Sequence, residues 1–181
     1  MRVISGKYKG QKIKGYNQVG TRPTMDRVKE SLFSMIQTKI KNSTVLDLFA
    51  GSGSLGIEAL SNGSKKCYFV EVNKKMFLLL KTNLETIKIT EEYYLFNLDY
   101  LDILKLCSKN KIKFDLIFLD PPYNLYLINQ VLEQLIKYNL LKKDGQVICE
   151  YTDEKIDNHN FKIITEKNYG NKKIRILEKR N

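Results

Sequence analysis

The sequence predicts an α/β protein built on a mostly parallel sheet of seven strands, with helices on both faces. Short apolar runs alternate with segments of helical periodicity between residues 44 and 150, which is the pattern of parallel strands joined by helices. The first of these runs leads directly into a glycine-rich turn, as in nucleotide-binding folds. The last two apolar runs have no helix between them, so we expect the sheet to end in an antiparallel hairpin.

A short β-hairpin and a long helix are predicted ahead of this alternation. Residues 2–5 and 11–14 can pair, because glycines occupy the connection between them. Apolar residues then recur with a helical period over residues 25–40. Thr24, with acidic residues close behind it, is typical of the N-cap of that helix. Residues 1–41 are therefore expected to form an extension ahead of a catalytic core at residues 42–181.

The remaining elements follow from apolar runs that are bounded by turn residues. Predicted strands cover residues 44–48, 67–70, 93–96, 114–119, 146–150, 161–166 and 172–177. Predicted helices cover residues 54–61, 74–87, 100–107 and 128–138. The segment Lys143-Asp144-Gly145 is predicted as a turn before the fifth strand. A chain of 181 residues is long enough for one sizeable core and short for two, so we expect a single domain over residues 1–181.

The composition argues against several classes of protein. Hydrophobic residues make up 43% and charged residues 28% of the chain, as in ordinary globular proteins. The chain has neither a long apolar run nor an apolar start, which predicts a cytoplasmic protein without a membrane span. The three cysteines lie far apart and fit neither a disulfide framework nor a zinc site, so no metal is expected. His159 is the only histidine, which argues against a Ser-His or Cys-His nucleophile.

Four acidic residues lie at the ends of four successive predicted strands. They are Asp47, Glu71, Asp99 and Asp120. Because the carboxyl ends of parallel strands meet at one edge of a sheet, these side chains can share a pocket. Glu71 suits the hydroxyls of a ribose and Asp99 suits the amino group of an adenine. A capping or solvated role is the alternative for each of them taken singly.

The glycine-rich turn after the first strand consists of Phe49, Ala50, Gly51, Ser52 and Gly53. Together with Gly56 it matches a glycine pattern that would also fit NAD. Asp47, however, lies only four residues before Gly51, and a pyrophosphate gains nothing from a nearby carboxylate. A ligand that carries a sulfonium or an ammonium does gain, which indicates a cationic cofactor.

The fourth strand ends in Asp120-Pro121-Pro122-Tyr123. Neither proline has an N–H, so the carbonyls before them are free to accept hydrogen bonds from another molecule. A carboxylate and a carbonyl beside an aromatic ring suit a planar base with an exocyclic amino group. Tyr123 can stack on the base while Asp120 and the Pro121 carbonyl accept its two N–H groups. The alternative is a strand-ending turn with an incidental tyrosine.

Residues 2–13, 21–33 and 47–53, with Val70-Glu71 and Tyr169-Gly170, resemble the RsmD family of methyltransferases. The resemblance implies a Rossmann-like class I methyltransferase fold and S-adenosylmethionine as cofactor. It implies methylation of the N2 amino group of a guanine in small-subunit ribosomal RNA, either free or within the subunit. It also implies that the segment with Arg22, Thr24 and Arg27 folds over the methionine end of the cofactor and over the target base.

Positive charge is concentrated at the amino end of the chain. The formal net charge is +11, and residues 1–41 contain ten basic and two acidic residues, a local charge of +8. A basic segment of this kind indicates a surface that binds the phosphates of RNA; enrichment in lysine by genome composition is the competing explanation.

Two other functions share these motifs. A DNA adenine-N6 or protein-glutamine methyltransferase would use the same Asp-Pro-Pro-Tyr chemistry. A non-catalytic RNA-binding assembly factor could keep the pocket as a relic. We expect a monomer that binds ribosomal RNA and has no membrane partner.

Overall fold

The structure is a computed structural model that describes residues 1–15, 22–122, 125–157 and 159–180, with the side chains of residues 22–25 left out. Its helices are α1 (Arg22–Met35), α2 (Gln37–Ile40), α3 (Ser54–Ser61), α4 (Lys74–Ile87), α5 (Tyr100–Lys109) and α6 (Ile128–Lys137). Its strands are β1 (Thr44–Asp47), β2 (Lys66–Val70), β3 (Glu92–Phe96), β4 (Phe114–Leu119), β5 (Leu141–Tyr151), β6 (Phe161–Tyr169) and β7 (Lys172–Lys179).

The seven strands form one sheet in the order β3-β2-β1-β4-β5-β7-β6. Strands β1 to β5 pair in parallel, whereas β7 pairs antiparallel with both β5 and β6. The predicted fold class, a mostly parallel sheet with an antiparallel carboxyl-terminal pair, is confirmed. Strand order reverses between β1 and β4, and ligands of open α/β sheets bind beyond the carboxyl ends of the strands at such a point.

Helices cover both faces of the sheet, because successive strand residues point to opposite sides. On the first face, here called the α1 face, sheet residues such as Val45 and Phe118 pack against α1, α2, α3 and α4. On the opposite face, Leu46 and Leu119 pack against α5 and α6. The side chains on the α1 face at the carboxyl ends of the strands are the ones that matter for the site.

The amino-terminal hairpin is present as a bridge between Arg2 and Lys12, and it is attached to the core by buried polar contacts. Glu58, on α3, is fully buried and accepts hydrogen bonds from the backbone N–H groups of Ile4 and Ser5 at 2.9 and 2.8 Å. The Lys29 ammonium lies 2.9 Å from the same carboxylate and 2.6 Å from the Arg2 carbonyl oxygen. Sequence reasoning missed this network, because its members lie far apart in the chain.

Two predicted elements differ from those observed by more than a shift of their ends. The helix expected over residues 25–40 begins at Arg22 and is interrupted at Ile36, so the prediction of Thr24 as its N-cap was wrong. Pro23 can lie inside the first turn, because the N–H that it lacks has no partner within the helix there.

The turn predicted at residues 143–145 lies inside β5. Phe114 pairs with Leu141 while Leu116 pairs with Gln146, so the extra residues form an irregularity in a strand that pairs at both ends. Asp144 takes a positive φ of 59° there. Of the helices that the structure describes, none is long and apolar enough to cross a membrane.

Candidate active site

Asp47 is a buried carboxylate at the end of β1. Its Oδ2 accepts a hydrogen bond of 2.9 Å from the backbone N–H of Gly56, in the first turn of α3. Only glycine fits at position 56, because a Cβ there would lie 2.2 Å from the Phe69 ring. The pKa of Asp47 is raised to about 7, mainly by burial; the Gly56 hydrogen bond lowers it and the Glu71 charge adds to the rise. A carboxyl group with this pKa becomes fully ionised when a cation binds beside it.

The glycine-rich loop after β1 is held by Glu71. The Gly51 N–H donates to Glu71 Oε2 at 2.8 Å, and the Asn73 N–H donates to Glu71 Oε1 at 2.7 Å. Gly51 has a positive φ of 53°, and a Cβ there would come no closer than 3.9 Å to another side chain. Each oxygen of Glu71 keeps a further lone pair, so the carboxylate can accept hydroxyl groups from a ligand while it holds the loop.

Asp99 lies at the start of α5, where it accepts a hydrogen bond of 2.8 Å from the Leu101 N–H as the helix N-cap. Its neighbour Tyr100 contacts Phe49 of the glycine-rich loop, with ring centroids 5.9 Å apart. Asn97 adds a contact that sequence reasoning missed. Its Nδ2 donates to the carbonyl oxygens of Glu71 and Val72 at 2.7 and 2.9 Å, which ties the end of β2 to the end of β3.

Asp120 follows β4 and is half-buried. Burial raises its pKa well above the ordinary range; the Glu150 charge raises it as well, and the Lys172 ammonium opposes them. Glu150, on β5, forms an ion pair with Lys172, the first residue of β7. Sequence reasoning missed both residues, although Glu150 ends the fifth predicted strand as the other acids end theirs.

These side chains line one cavity of about 940 Å³. Ten of the residues predicted from the sequence line it: Asp47, Phe49, Ala50, Gly51, Ser52, Glu71, Asp99, Asp120, Pro121 and Pro122. Gly53 instead forms the N-cap of α3 with a φ of 84°. Tyr123 lies outside the described residues, as do the side chains of Arg22 and Thr24.

The α1 helix and the β6–β7 hairpin close two further sides of the cavity. Lys29 and Leu32 line it from α1, and Tyr169, Asn171 and Lys172 line it from the hairpin. The Tyr169 hydroxyl forms a hydrogen bond with the Ser31 hydroxyl, so the two walls are joined. Within the described part of the chain, no group of His, Cys, Asp and Glu side chains is arranged to hold a metal ion. The lining is acidic at the strand ends and suits a cationic ligand that also carries N–H and O–H donors.

Known proteins resemble this chain over nearly its whole length. A family model described as Conserved hypothetical protein 95 matches residues 1–178. The ribosomal RNA small subunit methyltransferase D of Haemophilus influenzae is 41% identical over 173 residues, which cover 94% of this chain and 89% of that protein.

Solved structures agree with the fold. The yhhF protein of Escherichia coli superposes with a TM-score of 0.85 at 28% identity, covering 99% of this chain and 97% of the other. A Haemophilus influenzae methylase structure gives a TM-score of 0.81 at 34% identity, with 99% and 98% covered.

Proposed function

The chain belongs to the RsmD family, and on that premise we propose that it methylates the N2 amino group of a guanine in small-subunit ribosomal RNA, with S-adenosylmethionine as the methyl donor. The observation that carries the proposal is the convergence of Asp47, Glu71, Asp99 and Asp120 on one cavity beside the glycine-rich loop. The ribosomal RNA substrate is supported by the relatives named as small subunit methyltransferases.

The residues present fit this cofactor. A cavity of about 940 Å³ is of the size that small-molecule sites have. Glu71 would accept the two ribose hydroxyls, and Asp99 would accept the adenine amino group, each as a charge-assisted hydrogen bond. Asp47 would face the positive end of the ligand, where the ligand's charge favours its ionised form. When bound, S-adenosylmethionine supplies a methyl group that is already electrophilic, because it is attached to a positively charged sulfur.

The protein's task is then to position a weak nucleophile. The N2 lone pair of guanine is delocalised into the ring, so nitrogen must be held where the lone pair points at the methyl group. Asp120 and the Pro121 carbonyl would accept the two N–H groups and favour a pyramidal nitrogen. Positioning and electrostatic stabilisation of this kind need no base that removes a proton from the amine before the methyl group is transferred.

The proton that leaves the methylated nitrogen has an acceptor in Asp120. Because burial raises the pKa of this carboxyl group, its carboxylate is a stronger base than that of an exposed aspartate. The amine loses its proton after the new C–N bond has formed, when it is strongly acidic. Asp120 would therefore bind the amino group first and receive its proton afterwards.

The RNA surface is proposed to be the segment at residues 1–41, with residues 42–181 as the catalytic core. Lys9, Lys12 and Lys14 are exposed on the amino-terminal hairpin. Two other basic residues of this segment have acidic neighbours instead, since Arg2 pairs with Asp26 at 3.0 Å and Lys7 with Glu91 at 2.7 Å. The exposed lysines are available to contact phosphates.

The test is nucleoside mass spectrometry of small-subunit RNA, free or assembled, after incubation with the purified protein and S-adenosylmethionine. We expect N2-methylguanosine, and we expect it to be lost in Asp120→Ala but kept in Glu133→Ala, an exposed acid on α6. A parallel incubation with DNA tests the second function: N6-methyladenine in the DNA, without N2-methylguanosine in the RNA, would support the DNA enzyme. Tight RNA binding without any methylated nucleoside would support the assembly factor.

A further inference from the structure

The end of the cavity at Asp120, where the target base is proposed to bind, contains an ion pair that the proposed chemistry does not use. Glu150 on β5 and Lys172 on β7 form this pair, and both line the cavity together with Asp120. An exposed ion pair contributes little to stability as a rule, but this pair is largely buried and lies beside the carboxylate proposed to hold the target amino group.

The sheet fixes the order of the three side chains. Strands β4, β5 and β7 are consecutive neighbours. Leu119 pairs with Cys149, so Asp120 and Glu150 occupy the next level of the parallel ladder. Glu150 pairs with Ile174, and Lys172, two residues away on β7, is its diagonal neighbour.

All three side chains belong to the α1 face. Phe118 and Ile148 lie in the α1-face core, and Asp120 and Glu150 each follow two residues later, on the same side of their strands. Ile174 lies in that core too, and Lys172 precedes it by two residues. The Glu150 charge raises the pKa of Asp120, which agrees with the two carboxylates lying close together. Across the sheet, the cavity thus presents an acceptor, a second acceptor and a donor in that order.

This order is complementary to one edge of guanine. Along its Watson–Crick edge, guanine carries the N2 amino group, the N1–H and the O6 atom, that is, a donor, a donor and an acceptor. Adenine carries its amino group beside N1, which is an acceptor, and cytosine likewise has an acceptor, N3, beside its amino group. Either base would bring a lone pair against the Glu150 carboxylate. Its binding would be weakened both by the lost hydrogen bond and by repulsion between the lone pair and the carboxylate.

The geometry points to Glu150 as the residue that selects guanine. Glu150 accepts the N1–H of guanine while Asp120 accepts the neighbouring N2 amino group. Lys172 holds Glu150 in place and donates to O6. This assignment rests on the proposed function, since it takes the Asp120 side of the cavity as the site of the target base. It explains how a motif shared by enzymes of different base preference can be restricted to guanine by two residues on the adjacent strands.

The experiment compares two bases that carry the same 2-amino group. Once the methylated position has been mapped with the parent protein, guanine at that position is replaced by 2,6-diaminopurine, whose N1 is an acceptor and whose 6-position is a donor. We expect kcat/KM of the parent protein to be about 100-fold or more lower on 2,6-diaminopurine than on guanine. A site that accepts a hydrogen bond from the substrate rejects an analogue that lacks the donor. In Glu150→Gln we expect the preference for guanine to shrink by about tenfold or more, because the amide can donate to N1. Part of the preference should remain, because the 6-amino group still faces the Lys172 ammonium.

Controls separate recognition from a structural role. Glu154→Gln changes another acid near the end of β5 that does not line this cavity, and it should keep the parent preference. Affinity for S-adenosylmethionine, measured by calorimetry, reports whether Glu150→Gln is folded. The preference of the parent protein for guanine over 2,6-diaminopurine tests the assignment without any substitution. Equal rates on the two bases with the parent protein, or an unchanged preference in folded Glu150→Gln, would overturn the assignment. Absence of N2-methylguanosine with the parent protein would instead overturn the proposed function, and the assignment with it.

Discussion

We expect Asp47, the residue proposed to face the positive end of the cofactor, to destabilise the fold. Its pKa in the folded protein is about 7, raised from 3.8, so the folded state binds more protons than the unfolded state between these two values. Stability is therefore lost as pH rises through that window, and the full cost is present above pH 7. We expect Asp47→Asn, which can still accept the Gly56 N–H, to increase the free energy of unfolding at pH 8 by about 2–4 kcal/mol while it weakens S-adenosylmethionine binding.

Denaturant unfolding at pH 5 and pH 8 checks this expectation. The gain should be much smaller at pH 5, where the Asp47 carboxyl of the parent protein is largely protonated. Asp102→Asn, at an exposed position on α5, is the matched control and should leave the pH dependence unchanged. A gain of the same size at both pH values would show that Asp47 is not the group that titrates.

Asp120 should separate binding from chemistry. Asp120→Ala removes the carboxylate proposed to hold the amino group, but the residues proposed to bind the ribose and the adenine stay in place. We expect S-adenosylmethionine affinity to stay within about threefold and the single-turnover rate of methyl transfer to fall by about 100-fold or more, as for loss of one transition-state contact. Methyl transfer at the parent rate with saturating cofactor would mean that Asp120 only shapes the turn after β4.

The amino-terminal hairpin, α1 and α3 meet at a buried ion pair between Lys29 and Glu58. Glu58 is fully buried, and Lys29 is nearly so. Burial lowers the pKa of Lys29, while the Glu58 charge opposes this. Lys29→Met would leave the Glu58 carboxylate without its cation, and removal of one partner of a buried pair costs about 3–5 kcal/mol. We therefore expect Lys29→Met to be strongly destabilising in chemical unfolding.

The double variant Lys29→Met, Glu58→Gln is the informative comparison, because a neutral pair avoids the buried unpaired charge. It should recover a large part of the loss, and the recovery gives the coupling between the two residues. Lys81→Met, in an exposed pair with Glu85, should change stability by less than about 0.5 kcal/mol. If the double variant were as unstable as the sum of its single variants, the two side chains would act independently.

Elements with a strong internal pattern were predicted closely, and contacts between distant elements were not. The helices at 54–61 and 74–87 and the strand at 114–119 have the predicted bounds, because apolar periodicity and flanking turn residues are local signals. The break at Ile36 has no local signal in the sequence. The segment Lys143-Asp144-Gly145 does mark the irregularity in β5, but nothing local shows that the strand pairs on both sides of it.

The same distinction applies to the candidate site. Asp47, Glu71 and Asp120 could be predicted to share a pocket, because each ends a strand of a parallel sheet and the carboxyl ends of such strands coincide. The meeting of Glu150 with Lys172 depends on the antiparallel register of β5 and β7. A one-residue shift in that register would turn Lys172 to the other face, so only the structure could bring the pair together.

At the scale of the whole molecule, the basic hairpin and the cavity are close neighbours. Met1 and Gly15 at the ends of the hairpin segment line the cavity, and buried Asn83 donates to the carbonyl oxygens of both Lys14 and Ser52 at 2.9 Å. The side-chain amide of Asn83 thus links the hairpin segment to the glycine-rich loop. An RNA strand held on the hairpin would have its target base within reach of the strand ends without a separate recognition domain.

The charge distribution gives the last prediction. If Lys9, Lys12 and Lys14 contact RNA phosphates, each releases counterions on binding. Replacing all three with Gln should then weaken RNA binding and reduce the slope of log K against log salt by about two. Affinity for S-adenosylmethionine should barely change, because these three side chains are exposed outside the cavity.

The matched control replaces Lys109, Lys111 and Lys113, which are exposed beside the start of β4, at the opposite edge of the sheet from the strand ends. The two triple variants have the same net charge. If RNA binds only through a general attraction to a protein of charge +11, both variants should lose the same affinity. If the hairpin contacts the RNA directly, only the variant of the hairpin lysines should lose affinity and show a reduced salt slope. Equal losses in the two variants, measured by RNA titrations at three or more salt concentrations, would show that the basic hairpin holds no privileged contact with the RNA.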